Sequence, residues 1–289
     1  MTGSAADGPS LFSAVVFSGG GCRCLWQVGF WDTVAPALDL NPRVIAAASA
    51  GATMACIIFA GRMDYAFRYM KNAVKINTRN IYPRNLFNNK PVFPHEGIYR
   101  RAVLAAIDTE ALDRLRQGPE IRVTMARPPK WTTPGLATAL GFFCYFIERQ
   151  TGNPVHPQLA ARVGFRPEVV DARTCRSPEE LLDLLLASSC TPPAVSIQRP
   201  GGRPALDGGL VDNSPVYALG EKPGPTLVLL TRRYPLDRLP RVPGRMYVQP
   251  SEPIRIYKWD YTSPEGMQEA FDLGRRDGDR FVELYRSIR

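Results

Sequence analysis

A serine at the junction of an apolar run and a helical segment is the first residue whose setting indicates chemistry. Ser49 follows the apolar residues 44–48, and its neighbours two positions away, Ala47 and Gly51, are small. A nucleophilic serine on a sharp strand-to-helix turn needs small neighbours there, because the backbone passes close to itself. The same pattern is typical of a serine that caps the start of an ordinary helix. The sequence therefore predicts a nucleophile or a helix cap at Ser49.

A glycine-rich loop is the second candidate. Three consecutive glycines, Gly19, Gly20 and Gly21, are followed by Cys22 and Arg23, between an apolar run and a helical segment. Such glycines let backbone N–H groups converge on an anion at a helix N-terminus, so the loop can hold a phosphate or a reaction oxyanion. The last glycine of the dinucleotide-binding pattern G-x-G-x-x-G is missing, and so is the Gly-Lys-Ser/Thr of a P-loop. A tight turn in an α/β unit is the alternative.

An aspartate late in the chain could act as the base for a nucleophilic serine. It begins the sequence Asp207-Gly208-Gly209, which is also typical of hairpin turns. The chain has only two histidines, His95 and His156, and both precede Asp207. The order serine, acid, histidine of an α/β-hydrolase triad is therefore absent. A direct dyad of Ser49 and Asp207 is the serine-hydrolase arrangement that fits the histidine count.

Short apolar runs that alternate with helical patterns must position these candidates. The predicted strands are residues 14–18, 44–48, 121–126 and 226–231, and the predicted helices are residues 22–38, 50–67, 178–188 and 266–285. This alternation predicts an α/β fold with a mainly parallel sheet. Residues 77–94 and 128–157 are predicted as surface insertions. The apolar run 136–147 within the second is predicted as a buried core helix, with a lid or acyl-chain wall as the alternative.

The composition excludes several classes of protein. Of the 289 residues, 45% are hydrophobic and 22% are charged, which excludes disordered and fibrous chains. No apolar run approaches the ~20 residues that a membrane-spanning helix needs, and the N-terminal residues have no pattern of a secretory signal. Six cysteines without disulfide-framework density indicate reduced thiols and a cytoplasmic location. The cysteines and histidines have no zinc-site spacing, so neither a metal nor a cofactor is expected.

Most of the net charge lies in one segment. The chain carries a formal charge of +9, and residues 62–101 account for +7 of it while also containing seven aromatic residues. A basic segment interleaved with aromatic residues suits an anionic partner, such as a lipid headgroup surface or a nucleic-acid backbone. No nucleic-acid recognition motif accompanies the charge, so no nucleic-acid partner is expected. A solvated helix face followed by a loop is the alternative.

The order of the motifs is more specific than any one of them. Gly19-Gly20-Gly21-Cys22-Arg23 is followed about thirty residues later by Ala47-x-Ser49-x-Gly51, and Asp207-Gly208-Gly209 comes last, shortly after residues 187–192 (ASSCTP). Over roughly residues 13–220 this order resembles that of the patatin-like phospholipase family. The sequence departs from the family pattern at Ala47, where the elbow has its first glycine, and at Cys24, where a glycine or alanine follows the arginine. Neither change removes a catalytic atom.

The resemblance implies a three-layer α/β/α fold with a mainly parallel central sheet, and hydrolysis of acyl esters in lipids. It implies that Ser49 is the nucleophile and Asp207 the base. It also implies that the loop of Gly19, Gly20, Gly21, Cys22 and Arg23 supplies an oxyanion hole through N–H groups around Gly20, Gly21 and Cys22. We expect a flexible tail over residues 1–12 and a single acyl hydrolase domain over residues 13–289.

Two functions stay open at this point. The first is a lipid acyl hydrolase of the phospholipase A or lysophospholipase type, with a lipid or phospholipid substrate. The sequence does not separate this type from a neutral-lipid lipase or an acyltransferase. The second is a catalytically weak or inactive module of the same fold that binds anionic membranes through residues 62–101. In both cases we expect a cytoplasmic protein with a peripheral membrane surface as a partner.

Overall fold

The computed structural model describes residues 11–152 and 154–287. In the described part of the chain, seven strands form one sheet. In chain order they are β1 (Ala14–Phe17), β2 (Val44–Ala48), β3 (Glu120–Arg127), β4 (Arg166–Asp171), β5 (Leu206–Asp207), β6 (Thr226–Leu229) and β7 (Arg245–Val248). Their order across the sheet is β4-β3-β2-β1-β6-β7, and β5 pairs with β3 at one end.

The sheet is mostly parallel, as the sequence predicts. The pairs β1–β2, β1–β6, β2–β3 and β6–β7 are parallel, whereas β4 and β5 run antiparallel to β3. Parallel strands place their carboxyl ends at one edge of the sheet, where ligand sites of α/β proteins lie. Ser18 and Ser49 follow the carboxyl ends of the neighbouring strands β1 and β2. The sheet therefore brings the glycine-rich loop and the candidate nucleophile to the same edge.

Helices cover the sheet and fill the connections between its strands. The α-helices are α1 (Leu25–Ala37), α2 (Ala50–Phe59), α3 (Met63–Ile76), α4 (His95–Ala106), α5 (Thr109–Gln117), α6 (Pro134–Thr151), α7 (Leu159–Arg162), α8 (Pro178–Ser188) and α9 (Pro264–Ser287). Side chains alternate across each strand. Val15 and Phe17 therefore face the large core under α1, α2, α8 and α9, while Ala14 and Val16 face a smaller core on the other side. The predicted α/β/α fold class is confirmed.

The predicted helix over residues 50–67 is wrong as a single element. The structure ends α2 at Phe59 and begins α3 at Met63, and Gly61 between them has a φ of 68°. A positive φ is readily adopted by glycine, and it ends the helical path there. The basic segment of residues 62–101 therefore begins on a separate helix and does not continue the helix that starts at Ser49.

The second predicted insertion, residues 128–157, contains a helix where the sequence predicts one. The structure forms α6 there, and one face of this helix is buried through Ala137, Gly141 and Cys144. Its other face exposes large aromatic side chains, such as Phe143, which is 61% exposed. Residues 136–147 therefore have features of both alternatives, the core helix and the lid or acyl-chain wall, because one face of the helix is buried and the other is exposed.

Two further predictions concern the chain ends and the membrane. Residues 1–10 of the predicted flexible tail lie outside the described residues, whereas Phe12, its last residue, is buried in the large core. The predicted tail is therefore wrong at Phe12, since that ring is held by apolar packing. Among the described residues, no helix combines the length and the hydropathy that crossing a bilayer requires.

Candidate active site

Ser49 lies on a sharp turn between β2 and α2. Its backbone has a φ of 54° and a ψ of −139°, a combination that costs a non-glycine residue about 1–3 kcal/mol. Gly51 makes the turn possible, because a Cβ atom there would lie 2.5 Å from the carbonyl oxygen of Phe17. Ala47, by contrast, is fully buried in the core, so its extra methyl group is accommodated in the strand. The geometry is that of a strand–turn–helix nucleophile elbow.

The structure brings Ser49 and Asp207 together across 158 positions of sequence. The Ser49 hydroxyl donates a hydrogen bond of 2.6 Å to Oδ2 of Asp207. The other carboxylate oxygen, Oδ1, accepts the backbone N–H of Gly209 at 2.7 Å. Gly208 is required at the next position, because a Cβ atom there would lie 2.2 Å from the carbonyl oxygen of Thr124. The Asp-Gly-Gly sequence therefore forms a tight turn against β3 that aims the carboxylate at the serine.

The environment of Asp207 favours a proton-accepting role. Burial raises the pKa of this carboxyl above its ordinary value, while hydrogen bonds from Ser49 and Gly209 and the charge of Lys258 oppose the rise. A higher pKa makes the carboxylate a stronger base toward a hydroxyl proton. A buried carboxylate that accepts the hydroxyl proton of an elbow serine is therefore well suited to activate that serine.

The glycine-rich loop lies beside the pair, but its N–H groups are unequally available. Gly19 donates to the carbonyl oxygen of Asn213 at 2.9 Å, Cys22 to that of Lys258 at 2.9 Å, and Arg23 to that of Gly20 at 3.3 Å. Within the described residues, the N–H groups of Gly20 and Gly21 donate to no acceptor. The prediction that N–H groups around Gly20, Gly21 and Cys22 form an oxyanion hole is therefore wrong for Cys22, because its N–H already donates to the Lys258 carbonyl oxygen.

The polar residues that fix this loop were not singled out by the sequence. Asn213 donates through Nδ2 to the carbonyl oxygen of Gly19 at 2.9 Å, and Thr231 donates to the same oxygen at 2.6 Å. Gly20 packs so closely on Thr231 that a Cβ atom would lie 2.5 Å from its hydroxyl oxygen. Asn213 lies six residues after Asp207, so the turn that carries the carboxylate also holds the glycine-rich loop.

Ser188 is a second residue whose role was not predicted. Its hydroxyl accepts the backbone N–H of Ser49 at 2.8 Å and donates to the carbonyl oxygen of Thr124 at 2.6 Å. The side chain is fully buried at the end of α8. Ser188 therefore links the elbow to β3, the strand that also carries Asp207 through its pairing with β5. The run of small residues at 187–192 was the sequence feature that could have indicated this position.

Neither histidine takes part in this arrangement. His95 Nε2 lies 2.9 Å from the carbonyl oxygen of Trp259, and His156 lies between Asp212 and Tyr247. In the described part of the chain, neither ring forms a hydrogen bond with Ser49 or Asp207. No group of three histidine, cysteine or acidic residues among residues 11–152 and 154–287 could hold a metal ion.

Comparison with known proteins identifies the family. The sequence pattern of the family described as patatin-like phospholipase matches residues 15–219, which is more than two thirds of the chain. The chain belongs to the patatin-like phospholipase family. A crystal structure of VipD from Legionella pneumophila matches with a TM-score of 0.46 and 11% sequence identity, covering 94% of this chain and 67% of that one. A search of curated proteins finds no match.

The candidate site of this patatin-like domain opens into a small cavity. Ser49, Asp207, Gly20 and Gly21 line it together. Its remaining wall comes from other parts of the chain: Phe142, Tyr145, Thr191, Gly209, Leu210, Asn213, Lys258 and Trp259. The exposed α6 thus supplies one wall of the cavity through Phe142 and Tyr145. The structure in this way brings the predicted nucleophile, base and loop glycines to one space.

A second cavity adjoins the first and is almost wholly apolar. Gly21 lines both cavities, and Ala50, the residue after Ser49, lines the second. Its walls are rich in methionine and aromatic side chains, among them Met54, Met63, Phe67, Met70, Tyr99 and Met267. Methionine side chains are flexible and polarizable, so they adapt to irregular apolar ligands. The cavity therefore offers an apolar space that begins at the elbow.

The basic segment of residues 62–101 is divided between paired and exposed cations. Arg62 forms ion pairs with Asp108 and Glu110, and Arg100 forms one with Glu96. Around the loop after α3, large apolar side chains are exposed beside basic ones: Ile76 is 81% exposed and Phe87 is 89% exposed. The loop is also attached to the site, because Asn80 bonds to Asp260 and to the N–H of Tyr261.

Proposed function

We propose that the protein hydrolyses acyl esters of lipids with Ser49 as nucleophile and Asp207 as general base. Membership of the patatin-like phospholipase family implies lipid acyl hydrolase activity; the residue roles are the proposal. The observation that carries it is the 2.6 Å hydrogen bond from the Ser49 hydroxyl to Asp207, on a strained elbow and inside a cavity shared with Gly20 and Gly21. Within the family, we assign the chain to the phospholipase A or lysophospholipase type.

The chemistry follows from these positions. Asp207 accepts the hydroxyl proton as Oγ of Ser49 attacks the ester carbonyl carbon, and the carbonyl oxygen becomes an oxyanion. The N–H groups of Gly20 and Gly21 stabilise that oxyanion, and each such donor contributes roughly 3–4 kcal/mol in comparable sites. Asp207 returns the proton to the leaving alkoxide, which departs as the alcohol and leaves an acyl-enzyme. Asp207 then deprotonates a water molecule that attacks the acyl carbon. The acyl–Oγ bond breaks, the fatty acid leaves, and Asp207 returns the proton to Oγ of Ser49.

The acyl chain of the substrate lies in the apolar cavity. Two observations support this assignment: the cavity touches Gly21 and Ala50, which flank the position of the ester carbonyl, and its walls are apolar. Burying a methylene group from water contributes about 0.8 kcal/mol, so a chain of several carbons gains substantial affinity there. We therefore expect kcat/KM for p-nitrophenyl esters to rise as the acyl chain lengthens from two to eight carbons.

The residue roles are tested by active-site labelling and by paired variants. A fluorophosphonate probe is expected to label the wild type and not Ser49→Ala, and Asp207→Asn is expected to lower kcat on p-nitrophenyl butyrate by about 10²–10⁴. The control is the double variant His95→Gln/His156→Gln, which removes both imidazoles. Loss of activity in the folded control, or near wild-type kcat in Ser49→Ala, would overturn the dyad.

Membrane association is a separate proposal, and the exposed loop after α3 favours it. Basic residues such as Arg79 and Arg84 lie beside exposed Ile81, Leu86 and Phe87. Basic side chains near an anionic lipid surface contribute about 1 kcal/mol each, and aromatic rings suit the headgroup level. If the protein hydrolyses no ester, this surface supports the alternative function, a module that binds anionic membranes.

Liposome co-sedimentation tests this surface. We expect binding to anionic vesicles that weakens as salt rises, and little binding to neutral vesicles. Arg79→Gln/Arg84→Gln should reduce binding, whereas Lys222→Gln/Arg241→Gln, which removes two exposed cations outside the segment, should not. Equal binding to anionic and neutral vesicles, or equal loss in both double variants, would refute the role of the loop.

A further inference from the structure

The glycine-rich loop is held by a segment that precedes α9, residues 256–261. The carbonyl oxygen of Lys258 accepts the N–H of Cys22 at 2.9 Å. The carbonyl oxygen of Ile256 accepts Nε of Arg23 at 3.1 Å. Two carbonyl groups of the 256–261 segment therefore hold two consecutive residues of the loop.

This contact bears directly on Gly21, one of the two proposed oxyanion donors. A Cβ atom on Gly21 would lie 2.1 Å from the carbonyl oxygen of Lys258, so the loop and the segment pack without room for a side chain. Gly21 has a φ of 59°, which glycine adopts readily. The N–H groups of Gly21 and Cys22 belong to successive peptide groups. The bond from Cys22 to Lys258 therefore limits the directions in which the Gly21 N–H can point.

The 256–261 segment is itself held by a carboxylate at its end. Oδ1 of Asp260 accepts the N–H of Thr262 at 3.0 Å and also accepts the Thr262 hydroxyl, which closes a tight turn of the backbone. Burial opposes ionisation of this carboxyl, but hydrogen bonds from Thr262 and Asn80 outweigh burial and lower the pKa of Asp260. Asp260 is therefore an anion at neutral pH.

A side chain from the loop after α3 completes this turn. Nδ2 of Asn80 donates to Oδ1 of Asp260 at 3.2 Å, and Oδ1 of Asn80 accepts the N–H of Tyr261 at 2.8 Å. One carboxamide thus bonds to two consecutive residues of the segment. Because both bonds use the same planar group, they fix the segment in position and in direction.

The 256–261 segment is also part of the site. Lys258 and Trp259 line the catalytic cavity, and Tyr261 lines the apolar one. The matched family pattern ends at residue 219, so it does not include this segment. The contacts that hold the segment are therefore features of this chain that the family pattern does not describe.

We propose that Asp260 and Asn80 are positioning residues, which hold the oxyanion donors through the 256–261 segment. The inference rests on the proposed function, because it takes the N–H groups of Gly20 and Gly21 as those donors. Neither Asp260 nor Asn80 lines the catalytic cavity, so both act through the backbone of the segment. The strength of a hydrogen bond depends on its angle as well as its length, so a small rotation of the loop weakens the donors.

Steady-state kinetics on p-nitrophenyl butyrate is the first test. Removing one oxyanion donor costs roughly 10²–10³ in kcat, and a misdirected donor keeps part of its effect, so we expect kcat to fall about tenfold in Asp260→Ala and in Asn80→Ala. KM should stay close to wild type, because the donors act mainly in the transition state. Asp260→Asn keeps an acceptor oxygen and should restore most of the lost kcat. Wild-type kcat in both alanine variants would overturn the proposal.

The matched control is Asn85→Ala, in the same loop after α3. Nδ2 of Asn85 donates to the carbonyl oxygen of Pro91 at 2.7 Å, so this variant removes a bond between an asparagine and the backbone within the loop. It should keep the wild-type kcat. An equal loss of kcat in Asn85→Ala and Asn80→Ala would overturn the proposal, because the order of the loop and not its bond to the segment would then be the cause.

An adduct with a trifluoromethyl ketone measures the oxyanion donors directly. Oγ of Ser49 adds to the carbonyl carbon of 1,1,1-trifluorooctan-2-one, and the serine proton passes to the former carbonyl oxygen. The product is a hemiketal, whose ionisation to an oxyanion is followed by ¹⁹F NMR as pH rises. We expect the hemiketal to hold its proton at least tenfold more tightly in Asp260→Ala and Asn80→Ala than in the wild type, since displaced donors stabilise the oxyanion less.

The direction of this change separates geometry from charge. Loss of the Asp260 charge alone would favour the oxyanion and lower the pKa of the hemiketal, whereas displaced donors raise it. Asn80→Ala changes no charge, and Asp260→Asn should not raise this pKa. An unchanged or lower hemiketal pKa in both alanine variants would overturn the proposal. A wild type that forms no adduct would instead refute Ser49 as the nucleophile, which is the proposed function itself.

Discussion

Ser188→Ala tests whether the strained elbow depends on a side chain outside the predicted dyad. The substitution removes a hydroxyl that bonds at once to the backbone N–H of Ser49 and to the carbonyl oxygen of Thr124. Because the site is fully buried, water has little access to replace it. A buried polar group that loses its partner costs ~1–3 kcal/mol, so the two groups together should lower the free energy of unfolding by about 2–6 kcal/mol.

The substitution is also expected to lower catalysis in molecules that remain folded. The backbone of Ser49 has a conformation that stores about 1–3 kcal/mol of strain, and the lost hydrogen bond is one of the contacts that hold it. Relaxation that displaces a reacting atom by ~1 Å can cost roughly 10²-fold in rate. We therefore expect kcat on p-nitrophenyl butyrate to fall between about 10- and 100-fold.

The assay combines chemical denaturation with steady-state kinetics at a temperature where every variant is folded. Ser177→Ala is the matched control, because Ser177 caps the opposite end of the same helix, where it accepts the N–H of Glu180 at 3.3 Å. Loss of a helix cap costs ~1 kcal/mol, and this control should keep the wild-type kcat. Wild-type kcat together with wild-type stability in Ser188→Ala would refute the reasoning.

Three further predictions concern the site. As pH falls, kcat/KM should decline with a pKa above the ordinary value of aspartate, since burial raises the pKa of Asp207 and only its deprotonated form accepts a proton. Lys258→Met should move this decline to still higher pH, because the charge of Lys258 lowers the pKa of Asp207. An unchanged pH profile in Lys258→Met would contradict this. Activity should survive EDTA, because backbone N–H groups supply the electrophilic assistance, and full loss restored by calcium would disprove it. Gly51→Ala should distort the elbow and lower the melting temperature, since its Cβ would lie 2.5 Å from the Phe17 carbonyl oxygen. An unchanged melting temperature in thermal denaturation would contradict this.

The sequence predicted the elements that are defined by local pattern. The strands β1 and β2 and the helix α8 fall almost where the sequence patterns indicate, because strand burial and helix formation depend on neighbouring residues. The single helix over residues 50–67 failed at Gly61, since the apolar pattern continues past a residue whose positive φ ends the helix. The strands β4 and β7 were not predicted, because they lie at the sheet edges and carry exposed or polar residues.

For the candidate site, the sequence indicated which residues come together better than it indicated the contacts that hold them. Ser49 and Asp207 were singled out by motif order, and the structure places them within hydrogen-bond distance. The engagement of the Cys22 N–H depends on the Lys258 carbonyl oxygen, 236 positions away, so no local pattern could reveal it. Ser188 lay in a recognised run of small residues, yet its contact with the Ser49 N–H arises only when α8 packs on α2 and β3.

The distance between Ser49 and Asp207 is determined by the sheet and not by either loop alone. Ser49 directly follows Ala48, which pairs with Thr124 on β3, and the next residue of β3, Met125, pairs with Asp207 on β5. The proposed nucleophile and base are thus tied to adjacent positions of one central strand, and Ser188 bonds to the carbonyl oxygen of that same Thr124. A dyad without histidine needs direct contact between the hydroxyl and the carboxylate, because it has no imidazole between them to carry the proton. Rigid strand pairing supplies that contact before any substrate binds, which is the preorganisation that efficient proton transfer requires.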